Sequence, residues 1–282
     1  DEMHAILKHF IHGLIDHAKS LGMRVSMSAH TLEFPVEFRP LLQQPAEERI
    51  QLGSLTCAER GDLTNPGHMA LVSANIEAYL DQWSQIDELH LALPEHAQAE
   101  KNYRRSWREL DSKYGLEQDF PLEVLMRQTG FVTAGAPERA DREIKSTVTM
   151  LHFLDRFFAE NDLLERAASQ KTWITLDLTV TSAPLFPLMD RVLWPDAGIV
   201  NVLDYTSSRA VRRMHFMESL DATRVRAHLD VTLQDDNIGL LPQVATESIH
   251  VLLREMQRLG WRGFFTRFWP IGDLDPAAAF MA

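Results

Sequence analysis

The chain has a single cysteine, Cys57, among its 282 residues. No disulfide can form within it, and a zinc site built from several thiolates is excluded. Positive charge is scarce. Against 40 Asp and Glu there are 28 Lys and Arg, a formal charge of −12, which opposes the phosphate neutralisation that nucleic-acid binding needs. A nucleic-acid partner is therefore not expected. No apolar run approaches the roughly 20 residues that span a bilayer, and no charged-then-apolar leader opens the chain. A membrane partner is not expected either, and the compartment stays open. Low-complexity tracts and fixed-period repeats are lacking as well.

What the chain has is a large apolar fraction, 45%, and a strand-helix grammar that recurs. The helix-like stretch from Glu2 to Leu21 ends at Gly22, and a strand follows directly, with Val25, Met27 and Ala29 alternating with Ser26, Ser28 and His30. A helix over 68–83 leads to a strand over 86–93, where Leu89, Leu91 and Leu93 oppose His90 and Ala92. The strand read over 172–181 sets Ile174, Leu176, Leu178 and Val180 against Thr175, Asp177, Thr179 and Thr181, a strict period of two. Further strands are read over 199–206, 224–232 and 262–269, the last reached through a helix over 242–259 that stops at Gly260.

Alternating strands and helices imply parallel pairing with right-handed crossovers. Strands of an open, doubly wound sheet are covered on both faces and read as continuous apolar runs. These strands keep one polar face, which favours a curled sheet with a polar lumen. The expectation is an α/β fold of the (β/α)₈ TIM-barrel type, with residues 1–282 forming a partial catalytic barrel that lacks the first two strand-helix units. Both ends read as interior to a longer chain. Asp1 runs straight into a helix, and Asp273, Asp275 and Pro276 have the form of a helix start. Two stretches are too long for simple connections. Residues 31–67 read as a long loop over the active face, and 97–140 as a helical insertion, followed by one helix over 142–166.

Barrel active sites are built at the carboxyl ends of the strands. The residues presented there are His30, Glu95, His96, Asp177, Asp204, Tyr205, His228, Asp230 and Trp269. Several carboxylates around one cavity cannot all ionise cheaply, so one is expected to keep a proton near neutral pH. An acid paired with a second carboxylate is the equipment for cleaving a glycosidic bond. Other roles compete. Glu95 follows Pro94 and suits a helix start. Asp177 suits a hydrogen bond to Thr175 or Thr179, and Asp204 or Asp230 suits a buried ion pair with Arg209 or Arg226.

The order of helix, Leu21-Gly22-Met23, strand to His30, long loop with Cys57 and Asn65-Pro66, helix, then Ile86-Asp87-Glu88-Leu89 running into Pro94-Glu95 resembles the catalytic barrels of glycoside hydrolases, especially those related to α-glucuronidases and β-hexosaminidases. The resemblance implies that Glu95 is the general acid and that Asp204 or Asp230 is the base or nucleophile. By their place at the strand ends, His30, His96, Asp177, Tyr205, His228 and Trp269 are expected to contact a carbohydrate substrate, Trp269 through the flat face of its ring. The resemblance requires no cofactor and no metal. The Asp-Glu pair that many hexosaminidases carry at this strand is absent, since Pro94 precedes Glu95. Two other readings use the same residues. His30, His90 and His228 share inward parity and would form a metal-dependent hydrolase or lyase site if they converge; a barrel without catalysis would bind carbohydrate only.

Overall fold

A computed structural model describes residues 2–31, 33–42, 55–57, 65–93, 100–128, 137–233, 245–267 and 279–280. Helix α1 (Glu2–Ser20) leads into strand β1 (Ser26–His30). Between β1 and α2 (Pro66–Gln82) lie a 3₁₀ turn (Val36–Leu42) and the short strands β2 (Glu33–Pro35) and β3 (Leu55–Cys57), paired antiparallel. The segment expected to be a long loop thus carries a small ladder of its own. Strand β4 (Glu88–Ala92) precedes the helices α3 (Tyr103–Tyr114), α4 (Leu116–Asp119) and α5 (Leu122–Arg127). Helices α6 (Pro137–Ala159) and α7 (Leu163–Ser169) then deliver the chain to β5 (Trp173–Leu178). After these come α8 (Phe186–Val192), β6 (Gly198–Val202), α9 (Ser207–Arg212), β7 (Arg226–Thr232), α10 (Thr246–Arg258) and β8 (Gly263–Arg267).

The helix-to-strand junctions follow from backbone chemistry. Gly22 (φ 76°) and Gly260 (φ 75°) occupy the left-handed region that a side chain disfavours. Each lets the chain reverse: Met23 N–H donates to the Ala18 carbonyl, and Trp261 N–H to that of Met256, both at 3.0 Å. The single helix expected over 142–166 is two. Asn161 breaks it, because its amide donates to the Phe157 carbonyl at the end of α6 while its Oδ1 accepts from Leu163 N–H at the start of α7 (3.0 Å).

Six strands pair in parallel in the order β1-β4-β5-β6-β7-β8. Each neighbour in the sheet is the next long strand in sequence, as strand-helix units laid side by side require. The outward residues Leu89, Leu91, Ile174, Leu176, Ile199, Ala227 and Leu229 are buried in one apolar core with residues of the helices such as Val72, Ile76, Leu151, Leu188 and Ile249. The opposite face is polar. In register across it lie Ser28, His90 and Thr175, and one level further Ala92, Asp177, Val200 and His228.

That face is concave. β4 and β8 stand four places apart, about 19 Å if the sheet were flat, yet the rings of His90 and Phe265 lie 5.1 Å apart. The fold is therefore α/β with a curled parallel sheet. Its interior is tight: a Cβ at Gly198 would collide with the Thr175 hydroxyl. Among the described residues no helix is long and apolar enough to cross a membrane.

Candidate functional site

The amino-terminal half of the lumen is filled by charge and rings. Glu88 is buried, accepting from Arg24 Nη2 at 2.8 Å and lying 3.1 Å from His90 Nε2. Burial by itself raises a carboxyl pKa, but the His90 hydrogen bond and the neighbouring positive groups outweigh it and hold Glu88 below the usual range. Phe265 stands edge-on to both His90 (5.1 Å) and His228 (5.5 Å). His228 is buried and its pKa is lowered, first by that burial, with Arg226 and Arg24 adding to it. Below them the guanidinium groups of Arg24 and Arg226 lie 4.3 and 3.7 Å from the Trp173 ring centre. Such cation-ring stacking keeps two like charges close at low cost.

Sequence reasoning named His90, His228 and Arg226 from their parity but not Glu88, Phe265 or Trp173. Glu88 shares the parity of His90 and Ala92, but it stands at the start of its strand, away from the carboxyl end where barrel sites are built.

At the carboxyl ends, Asp177 on β5 and Asp230 on β7 both point into the lumen and are partly accessible. Asp177 is level with Val200 and His228, and Asp230 with Val202 and Phe265, one inward step further on. Both carry interactions of their own. Asp204 is different. Its side chain has no exposure, and Arg213 Nη1 approaches Oδ2 to 2.6 Å while Arg209 Nε lies 3.5 Å from Oδ1. The same Arg213 Nη1, which carries two N–H groups, donates to the Leu203 carbonyl at 3.0 Å. Oδ1 also accepts from Thr206 N–H at 3.3 Å. The strand expected to reach Thr206 ends at Val202 because Asp204 turns the chain into α9. Tyr205, next to it, is partly buried.

Thr179 and Thr181 leave the inward register expected for them. β5 ends at Leu178 and a 3₁₀ turn, Val180–Leu185, begins, with Ser182 N–H donating to the Thr179 carbonyl and the two threonine hydroxyls 3.0 Å apart. The three inward histidines do not converge. His30 Nδ1 sits 3.3 Å from Glu33 Oε2 on a side chain 55% exposed, whereas His90 and His228 flank Phe265. Among the described residues no group of three His, Cys, Asp or Glu is arranged to hold a metal. Glu95, His96 and Trp269 lie outside the described residues.

Comparison with protein-family models, with curated proteins and with solved structures finds no match to this chain.

Proposed function

We propose that the chain is the larger part of an eight-stranded (β/α)₈ barrel and hydrolyses glycosidic bonds in an oligo- or polysaccharide. The observation that carries this reading is the placement of Asp177 and Asp230 on one concave face, near the strand ends where barrel enzymes do their chemistry. They are two strands and one inward step apart. Ladder spacing puts their Cα atoms on the order of 12 Å from each other, and curling shortens this. Two inward aspartates at that spacing can flank one sugar ring, and the carboxyl distance that separates inverting from retaining chemistry is the one between Glu95 and Asp230.

In this reading Glu95, following β4, donates a proton to the leaving oxygen and Asp230 activates the attacking water. Asp177, Tyr205 and His228 line the approach, and His30, His96 and Trp269 are further candidate contacts to the substrate. Asp204, clamped by Arg213 and Arg209, is better suited to holding the β6 end in place than to attacking a sugar.

The test is turnover of a panel of aryl glycosides and oligosaccharides by the parent, Glu95→Gln and Asp230→Asn, with Tm recorded for each. Loss of turnover by about 10³-fold or more at unchanged Tm is expected for both variants. Parent-like rates remove the residue concerned from the mechanism. A parent that binds glycans but never cleaves them leaves only a carbohydrate-binding barrel, and one that does neither ends the reading.

A further inference from the structure

The sheet is curled, and among the described residues six parallel strands make it up. His90 and Phe265 meet across the lumen from strands four steps apart. In a barrel of eight, four steps is the full diameter, and such a barrel is just wide enough for its side chains to fill. Had six strands closed the ring, β8 would pair with β1. Instead β1 pairs with β4 and β8 with β7, and a cavity of about 240 Å³ lies between them, lined by Val25 and Ser26 on one side and Gly263, Phe264 and Phe265 on the other.

Exposure is concentrated around this opening. The inward residues Ser26, Ser28 and His30 of β1 are exposed, while their counterparts Glu88, His90, Thr175 and Val200 are buried. Within the cavity's lining, His228 is buried and its Nδ1 has no hydrogen-bond partner among the described residues. Helix α1 has two adjacent apolar faces. Ile11 and Ile15 pack on the core, but Met3 (81%), Leu7 (54%), Phe10 (59%) and Leu14 (52%) form a stripe that nothing covers among the described residues.

We propose that the β1–β8 opening receives two parallel strands from the polypeptide that leads into α1, with their connecting helix seated on the α1 stripe. Topology selects this source. In a right-handed crossover the helix that feeds a parallel strand descends from the strand beside it. α1 feeds β1, so the strand ahead of α1 belongs on the free edge of β1, and the one before that closes on β8. The count of two rests on the barrel reading, but the occupancy does not depend on catalysis.

Hydrogen exchange of the 282-residue chain, compared with a natural polypeptide in which residues precede α1, reads the proposal without any turnover measurement. Amides of β1, β8 and α1 should exchange at least about 100-fold more slowly in the longer protein. Phe10→Glu with Leu14→Glu should lower the longer protein's Tm by several degrees and leave that of the 282-residue chain nearly unchanged. Equal exchange in the two proteins overturns the proposal, as does a natural polypeptide with no strand-forming segment ahead of α1. So does sedimentation showing a dimer of the 282-residue chain with the same edges protected, since a second copy is then the occupant.

Discussion

Phe265 on β8 and His90 on β4 meet edge to face at 5.1 Å, and this one contact joins strands that the hydrogen-bonded ladder keeps four places apart. Phe265 is the wedge that fills the curl between His90 and His228. Phe265→Ala should cost about 3 kcal/mol in urea denaturation, below the upper range for large-to-small changes because the ring is only partly buried. Phe265→Leu should cost less than half of that. A loss under about 1 kcal/mol for the alanine variant would mean that the lumen does not depend on the ring.

Glu88 couples Arg24 at 2.8 Å to His90 at 3.1 Å. Glu88→Gln should destabilise the protein by about 2 kcal/mol at pH 7, less than a fully buried pair because Arg24 is half exposed. The folded carboxyl titrates below its ordinary 4.5. Its contribution is therefore complete above pH 4.5 and is lost as pH falls through the folded value. The parent-variant gap should be steady from pH 7 to pH 5 and shrink by pH 3; a gap that widens on acidification contradicts the assignment.

The Asp204–Arg213 pair separates holding from chemistry. Asp204→Ala takes away the carboxylate that lies 2.6 Å from the largely buried Arg213 guanidinium and should cost about 3 kcal/mol or more. The double variant Asp204→Ala with Arg213→Ala should recover part of that loss, giving a coupling of at least about 1 kcal/mol in a double-mutant cycle. Unchanged stability together with abolished turnover would return Asp204 to the reaction.

His68, in α2, is buried against Phe153, with ring centres 4.7 Å apart, and its Nε2 lies 3.0 Å from the Thr31 carbonyl. Burial drops its pKa from 6.5 to about 4. Between those values the unfolded chain binds a proton that the folded one refuses, so stability rises with pH across this window and is complete above pH 6.5. On acidification to pH 4 the residue should cost about 3 kcal/mol. His68→Gln should flatten that part of the stability profile relative to the parent, and superimposable profiles would refute the assignment. His152 and His228 shift in the same direction, so the difference between the two proteins is the quantity to read.

Much of this architecture was legible in the residues. Gly22 and Gly260 marked helix ends because only a residue without Cβ sits comfortably at φ near 75°. The alternation of Leu89 and Leu91 with His90, and of Ile174 and Leu176 with Thr175, identified the face turned to the helices. The failures share a cause. Asn161 divided a helix, Thr179 began a 3₁₀ turn and Asp204 closed a strand, each through a side chain or carbonyl that bonds the nearby backbone. Hydrophobic periodicity is blind to such bonds.

The order of the strands, their parallel pairing and the polar character of one face were determined by the sequence alone, because period and punctuation are local properties. Which polar residues meet was decided only by the curl of the sheet. Curvature brought Glu88, His90, Arg226, His228 and Phe265 together, and it left His30 outside. Parity gives each residue a face; distance across a lumen depends on how far the whole sheet bends, which no single segment encodes.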